Sequence, residues 1–289
     1  MTAVLPAVLS VVVPCRNASR HLGQALDGLA LQRLDEPWEV VIADNGSTDN
    51  TLAVAEGFAD RLNLRLISAT AVTGQWYARN IGVAAAGGDC IVFLDADDVP
   101  APGYLVAMRG ALADADLAAG DMETESLNPG WVRRSRDTGL VAGFSYSMGF
   151  LPYATSACLA VRKSAFERLG GFQPWRVGED AEFCWRAQIA GMTIRAVPDA
   201  VLHYRYRDTL PGIARQALGY GAAQPRLYRH FRSQGMAREG IGDVAHRWRD
   251  LAGRARRARD KGDAADCVYL FGIYAGRFLG SLRQRVWYP

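Results

Sequence analysis

The amino-acid sequence predicts an α/β fold, a mostly parallel sheet flanked by helices and followed by a helical C-terminal extension. Three observations carry that expectation. Short apolar runs rich in β-branched residues alternate with stretches of helical periodicity, and the runs end in polar turns. Beyond residue 210 only helical patterns continue. At 289 residues, with 49% hydrophobic and 22% charged side chains, the chain can build one large α/β domain with a helical appendage.

Residues 8–13 form the first apolar run, stopped by Pro14-Cys15-Arg16-Asn17. A helix follows from Ser19, in which Leu22, Ala25, Leu26 and Leu29 recur at helical spacing. The second strand, 38–43, runs into Asp44-Asn45-Gly46-Ser47-Thr48-Asp49. That segment is either a turn with a helix cap, or a loop in which Asp44 accepts from a base N–H while Gly46 lets the backbone close around a nucleotide. Residues 64–68 make a third strand. In the helix 74–86, Ala78, Ile81 and Ala85 are expected to form the buried stripe, leaving Arg79 and Asn80 off it.

The fourth strand is the most informative. Cys90-Ile91-Val92-Phe93-Leu94 is apolar throughout, as in a strand covered on both faces, and it stops at Asp95-Ala96-Asp97-Asp98. Ligands of open α/β sheets collect beyond the carboxyl ends of the strands. Three carboxylates within four residues repel one another unless a cation sits among them, and a hard divalent ion carrying a diphosphate would satisfy all three. A polar turn that caps the next helix is the competing account.

A helix is expected over 102–114 and a short strand over 117–120. Residues 126–152 then lack periodicity and mix Gly130, Gly139, Gly143 and Gly149 with Trp131, Phe144, Tyr146 and Phe150, which suits either a sugar-facing flap or a surface excursion. Residues 156–162 predict a strand and 163–169 a helix. Asp180 is placed as the N-cap of a helix whose buried stripe is Phe183, Cys184 and Ala187, the alternative being a positioned general base. A strand over 193–197, a turn at Pro198 and His203 complete this part.

Taken together, these segments resemble family 2 glycosyltransferases over about residues 8–210. The resemblance rests on 8–17, Asp44-Asn45-Gly46-Ser47-Thr48-Asp49, Ala78-Arg79-Asn80, Phe93-Leu94-Asp95-Ala96-Asp97-Asp98 and Gly178-Glu179-Asp180, in that order. It implies a GT-A, Rossmann-like fold, with 1–210 as the catalytic domain (about 1–115 the nucleotide-binding half, about 116–210 the acceptor half) and 211–289 as the extension. It further implies metal-dependent transfer of a sugar, with inversion, from a UDP-, GDP- or dTDP-sugar to a glycan, lipid-linked or small-molecule acceptor. Pro14, Arg16, Asn17, Asp44, Gly46, Arg79, Asp95 and Asp98 would then contact the donor. Asp97 would hold Mn²⁺ or Mg²⁺ with His203, Asp98 sharing in metal or ribose contact. Asp180 would be the catalytic base, and Glu179, Trp131 and Trp175 would meet the acceptor.

Two other classes remain to be separated from this one. A nucleotidyltransferase would need a glycine-rich loop after the first strand, and residues 14–19 contain no glycine. A non-catalytic carbohydrate-binding or scaffold relative would be expected to lack the acids, all of which are present. No nucleic-acid partner is expected. Five scattered cysteines without a CxxC pair predict reduced core thiols, and residues 1–14 lack a signal peptide's basic and small-residue features, so a cytoplasmic protein is expected. From 243 to the end there are ten Lys or Arg against five Asp. That basic, partly apolar tail suits peripheral contact with the inner face of a membrane, or packing on the catalytic domain or a second subunit as a homodimer.

Overall fold

The computed structural model describes residues 8–136, 140–141, 143–146, 148–238 and 240–288; Gly139 of the glycine-aromatic stretch lies outside them. In chain order the elements are β1 (Leu9–Cys15), α1 (Leu22–Ala30), β2 (Trp38–Asp44), α2 (Thr51–Glu56), β3 (Leu64–Ser68), α3 (Gln75–Ala85), β4 (Cys90–Phe93), β5 (Val99–Pro100), α4 (Tyr104–Ala111), β6 (Leu117–Glu123) and α5 (Gly130–Arg133). They continue with β7 (Leu140–Val141), β8 (Phe144–Ser145), β9 (Leu159–Arg162), α6 (Lys163–Arg168), α7 (Glu179–Ile189), β10 (Ile194–His203), α8 (Leu210–Phe231), α9 (Ile241–Arg257) and α10 (Lys261–Gln284).

The main sheet has the order β3-β2-β1-β4-β9-β6-β10-β5. Strands β3, β2, β1 and β4 run parallel, and β6 is parallel to β10. Strand β9 joins the two sets antiparallel to both β4 and β6. Alternation along β1 explains why helices cover both faces. Val11 and Val13 enter a core with Leu22, Leu26, Tyr104, Leu105 and Met108, while Val12 enters a second core with Val83, Phe166, Phe183 and Cys184. Each such fully buried side chain contributes roughly 1.5–3 kcal/mol.

Two compact units result. One comprises Met1–Glu123, Leu140–Ser145 and Pro152–Tyr204, the other Thr124–Gly139, Tyr146–Leu151 and Arg205–Pro289. The first holds the sheet. The second is built on α8 and α10, whose glycine-lined faces pack closely: a Cβ on Gly276 would run into the Leu218 carbonyl oxygen. Among the described residues, no helix is long and apolar enough to cross a membrane.

Several local expectations are corrected. Residues Ser156–Cys158 form a 3-10 turn, so the strand starts at Leu159. The strand expected to end at Val197 runs on to His203 through a register shift between Val197 and Val201. The helix cap is Gly178, with φ +81°, and Asp180 lies inside the first turn of α7. The buried residues of α3 are Ala78, Arg79, Gly82 and Val83, so Arg79 lies on the covered face. A guanidinium can be covered when it is paired, and a stripe drawn from apolar letters omits it.

Candidate active site

Loops at the carboxyl ends of β1, β2 and β4 meet because their strands are neighbours in the sheet. Pro14 is buried in β1 opposite Ala43, whereas Arg16 and Asn17 are exposed just beyond it. Asn17 adopts a left-handed conformation, and its Oδ1 accepts from the Thr48 N–H at 2.8 Å while its own N–H donates to Ser47 Oγ at 3.0 Å. Asp44 turns its carboxylate onto its own loop, accepting from the Gly46 N–H at 3.1 Å and the Ser47 N–H at 3.2 Å. Gly46 sits at φ +84°, which a side chain would strain.

Asn45 fastens this loop to the next. Its Nδ2 donates to the carbonyls of Ala69 and Val72, and its Oδ1 accepts from the Gly74 N–H at 2.9 Å. Asp49 accepts from the Ser19 and Thr51 N–H groups and from the Thr51 hydroxyl; the Ser19 side chain first, then the Thr51 hydroxyl and these N–H groups, hold its carboxyl well below the usual carboxylate range. Neither role was assigned from sequence. The clue was an Asn-Gly turn followed by Ser-Thr-Asp, which marks a hydrogen-bonded loop without naming its partners.

Asp95, Asp97 and Asp98 each offer a carboxylate oxygen within 4.8 Å of the others, and Asp98 is buried. An all-oxygen set of this compactness fits a hard divalent cation such as Mg²⁺ or Mn²⁺. The charges spread into the sheet. Burial first, then Asp44, Asp95, Asp97 and Asp49, push the Cys15 thiol far above its ordinary range, so these acids share one neighbourhood. His203 is not in the three-carboxylate group. Its Nδ1 lies 2.5 Å from Glu123 Oε2, its register partner on β6, and its backbone pairs with Val99, the residue after Asp98.

Arg79 links this cluster to α7. Its Nη2 donates to Asp95 Oδ1 at 2.7 Å and its Nη1 to Glu179 Oε1 at 3.0 Å, with the guanidinium 1% exposed. Glu179, expected on the acceptor side, is therefore buried against Arg79. Burial, with the neighbouring Asp180 charge, raises Glu179 to about 7 against the opposing pull of Arg79. Asp180 is also raised by burial, in spite of the Ala181 N–H that donates to its Oδ1 at 2.8 Å and the Arg79 charge.

The approach to α7 is clasped. Asn80 Nδ2 donates to the Phe172 carbonyl at 2.9 Å and Asn80 Oδ1 accepts from the Phe172 N–H at 3.0 Å. Arg186 donates to Glu182 and to the carbonyls of Leu169 and Gly171. The Glu182-Arg186 pair was legible as an i,i+4 spacing; the Asn80 clasp was not. Trp175 is half-buried in the Phe172–Gly178 loop. Trp131 belongs to the second unit, where Lys261 Nζ lies 3.7 Å from its ring centre.

The sequence profile described as Glycosyl transferase family 2 matches residues 10–170. The pre-mycofactocin glycosyltransferase of Mycobacterium tuberculosis (strain CDC 1551 / Oshkosh) is 29% identical over 233 residues, covering 77% of this chain and 48% of that protein. Glycosyltransferase AglE of Haloferax volcanii is 28% identical over 206 residues, covering 70% of this chain and 67% of its own. The chain thus spans about half the length of the mycobacterial relative. Among solved structures, the mannosyltransferase PcManGT from Pyrobaculum calidifontis, in complex with GDP-Man and Mn²⁺, superposes with TM-score 0.66 at 21% identity, covering 96% of this chain and 90% of that one. S. aureus TarS 1-349 in complex with UDP-GlcNAc gives 0.55 at 20% identity, covering 97% and 93%. At these identities the structures speak to the fold, which is GT-A-like.

Proposed function

The chain belongs to glycosyltransferase family 2, and from that premise we propose that it transfers a sugar from a nucleoside-diphosphate donor to an acceptor hydroxyl with inversion. The observation that carries this is the Arg79 bridge, which fastens the Asp95-Asp97-Asp98 group to the α7 turn holding Asp180. One end can meet a diphosphate and the other an acceptor hydroxyl. The complexes of the structural neighbours, with UDP-GlcNAc and with GDP-Man and Mn²⁺, support a nucleotide sugar as donor.

In this proposal Pro14, Arg16, Asn17, Asp44 and Gly46 border the nucleoside, and Asp95 lies toward the ribose. Asp97, with Asp95 and Asp98 beside it, would hold Mg²⁺ or Mn²⁺. When bound, such an ion offsets the charge that develops on the departing diphosphate. Asp180 takes the proton from the acceptor hydroxyl as its oxygen attacks the anomeric carbon from the face opposite the leaving group. The raised proton affinity of Asp180 suits a base that must bind a proton during turnover. Arg79 holds Asp95 and Glu179 in place.

Asp180→Asn tests the assignment. It is expected to remove transfer, read as nucleoside diphosphate released in the presence of acceptor, while donor affinity by titration calorimetry stays within about twofold. Turnover near the native rate in that variant would refute Asp180 as the base.

A further inference from the structure

We propose that the exposed face of α10, with the groove it shares with α8 and α9, seats the second unit on the surface of an anionic lipid bilayer. The groove has a volume of about 610 Å³ and is lined by Ala214, Leu218, Leu251, Val268 and Phe271, together with Arg215. Its lining is almost wholly apolar. Helix α10 turns its glycines toward α8, since Gly272, Gly276 and Gly280 would all clash with α8 if they carried a Cβ. The opposite side is therefore left outward. On it, Phe271, Phe278 and Leu282 recur at seven and four residues, each at least half exposed, with Leu279 beside them and Trp287 just beyond the helix. From Cys267 to Leu282 this apolar line extends roughly 22 Å.

The charge around it selects the occupant. Arg256 and Arg257 end α9 next to Ala255 of the groove, and Arg229, Arg283 and Arg285 lie exposed near the other end. The acids of these helices are already engaged. Asp243 accepts from the Gly240 N–H, Asp250 and Asp266 pair with Arg254, Asp260 caps α10 and pairs with Arg134, and Asp263 accepts from the Arg259 N–H. From Asp243 on, basic side chains still outnumber acids ten to five, so the surface is apolar with cationic flanks. A two-fold dimer through the same face would set the arginines at one end of a copy against those at the other end of its partner copy. An anionic bilayer meets both features at once, taking the Phe and Leu side chains into its interface and the guanidinium groups among its headgroups. Because no described helix can span a bilayer, the contact is one that lies on the surface.

The test is co-sedimentation of the full chain with vesicles of phosphatidylcholine alone or with about a third phosphatidylglycerol. Binding is expected to the anionic vesicles, to weaken with salt, and to be much weaker to the neutral ones. The variant Phe271→Ser/Phe278→Ser/Leu282→Ser should lose at least about tenfold in affinity, with an unchanged circular dichroism spectrum because these side chains are exposed. Arg283→Gln/Arg285→Gln should lose about fivefold per arginine, on anionic vesicles only. No binding to either vesicle overturns the proposal. So does binding that the apolar triple variant retains, or a dimer in solution that this variant abolishes.

Discussion

At the level of single residues, the guanidinium of Arg79 balances carboxylates that lie 16 and 100 positions away along the chain. Its burial makes the pairing strong in both directions, because removing one partner leaves an uncompensated charge out of water. Arg79→Gln is expected to cost about 3–5 kcal/mol in chemical denaturation. Arg79→Lys keeps the charge but loses the two-pronged fork, so it should recover part of that loss. The same residue sets a pH dependence. Glu179 is raised to about 7 and Asp180 is raised with it, while Arg79 opposes both shifts. In the proposed mechanism base catalysis needs Asp180 ionised, so kcat/KM should climb with pH through a midpoint above the ordinary carboxylate range. Loss of the cation raises both carboxylates further, so Arg79→Gln should move that limb to higher pH. A limb that stays in place would show that the arginine does not govern the base.

Among elements, α3 and α7 are the two whose relative setting matters for the proposed site, and the Asn80 clasp on Phe172 ties α3 to the loop that leads into α7. Asn80→Ala strips a partner from both the N–H and the carbonyl of Phe172, a loss of about 1–3 kcal/mol. Activity is expected to fall more than donor affinity, because the displaced segment leads to Asp180 and not to the donor loops; steady-state kinetics beside calorimetry would read the difference. The α8-α10 pair depends on closeness instead. At Gly276 a leucine would drive side-chain atoms into the α8 backbone, so Gly276→Leu should cost about 3 kcal/mol in the second unit and lower its thermal midpoint. Glycine here serves packing, and its helix spacing at 272, 276 and 280 was visible in the sequence as a pattern. Its partner was not, since the Ala214–Pro225 face of α8 is far away along the chain.

At the scale of the whole molecule, ligand binding is the most direct probe of the donor site. A nucleotide sugar at a hundred times its dissociation constant should stabilise the protein by about 2.7 kcal/mol, seen as a rise in Tm that requires Mn²⁺ or Mg²⁺. Chelator should cancel the rise, and Asp97→Ala should abolish it while leaving the ligand-free Tm close to native. Screening UDP-, GDP- and dTDP-sugars in this way would name the base and the sugar. A metal-independent shift of equal size would remove Asp97 from the proposed role.

What the sequence determined by itself was the part governed by near neighbours. Apolar β-branched runs marked β1, β2 and β4, their polar endings marked where a site would form, and the density of acids at Asp95, Asp97 and Asp98 pointed to an oxygen-ligand cation site. Tertiary structure alone decided that β9 runs antiparallel between β4 and β6, that Gly178 and not Asp180 caps α7, and that His203 is partnered by Glu123. It also decided that Arg79 is buried. The reason is range: strand burial and turn chemistry are written in consecutive residues, whereas an ion pair between Arg79 and Glu179 exists only after the sheet has brought α3 and α7 together.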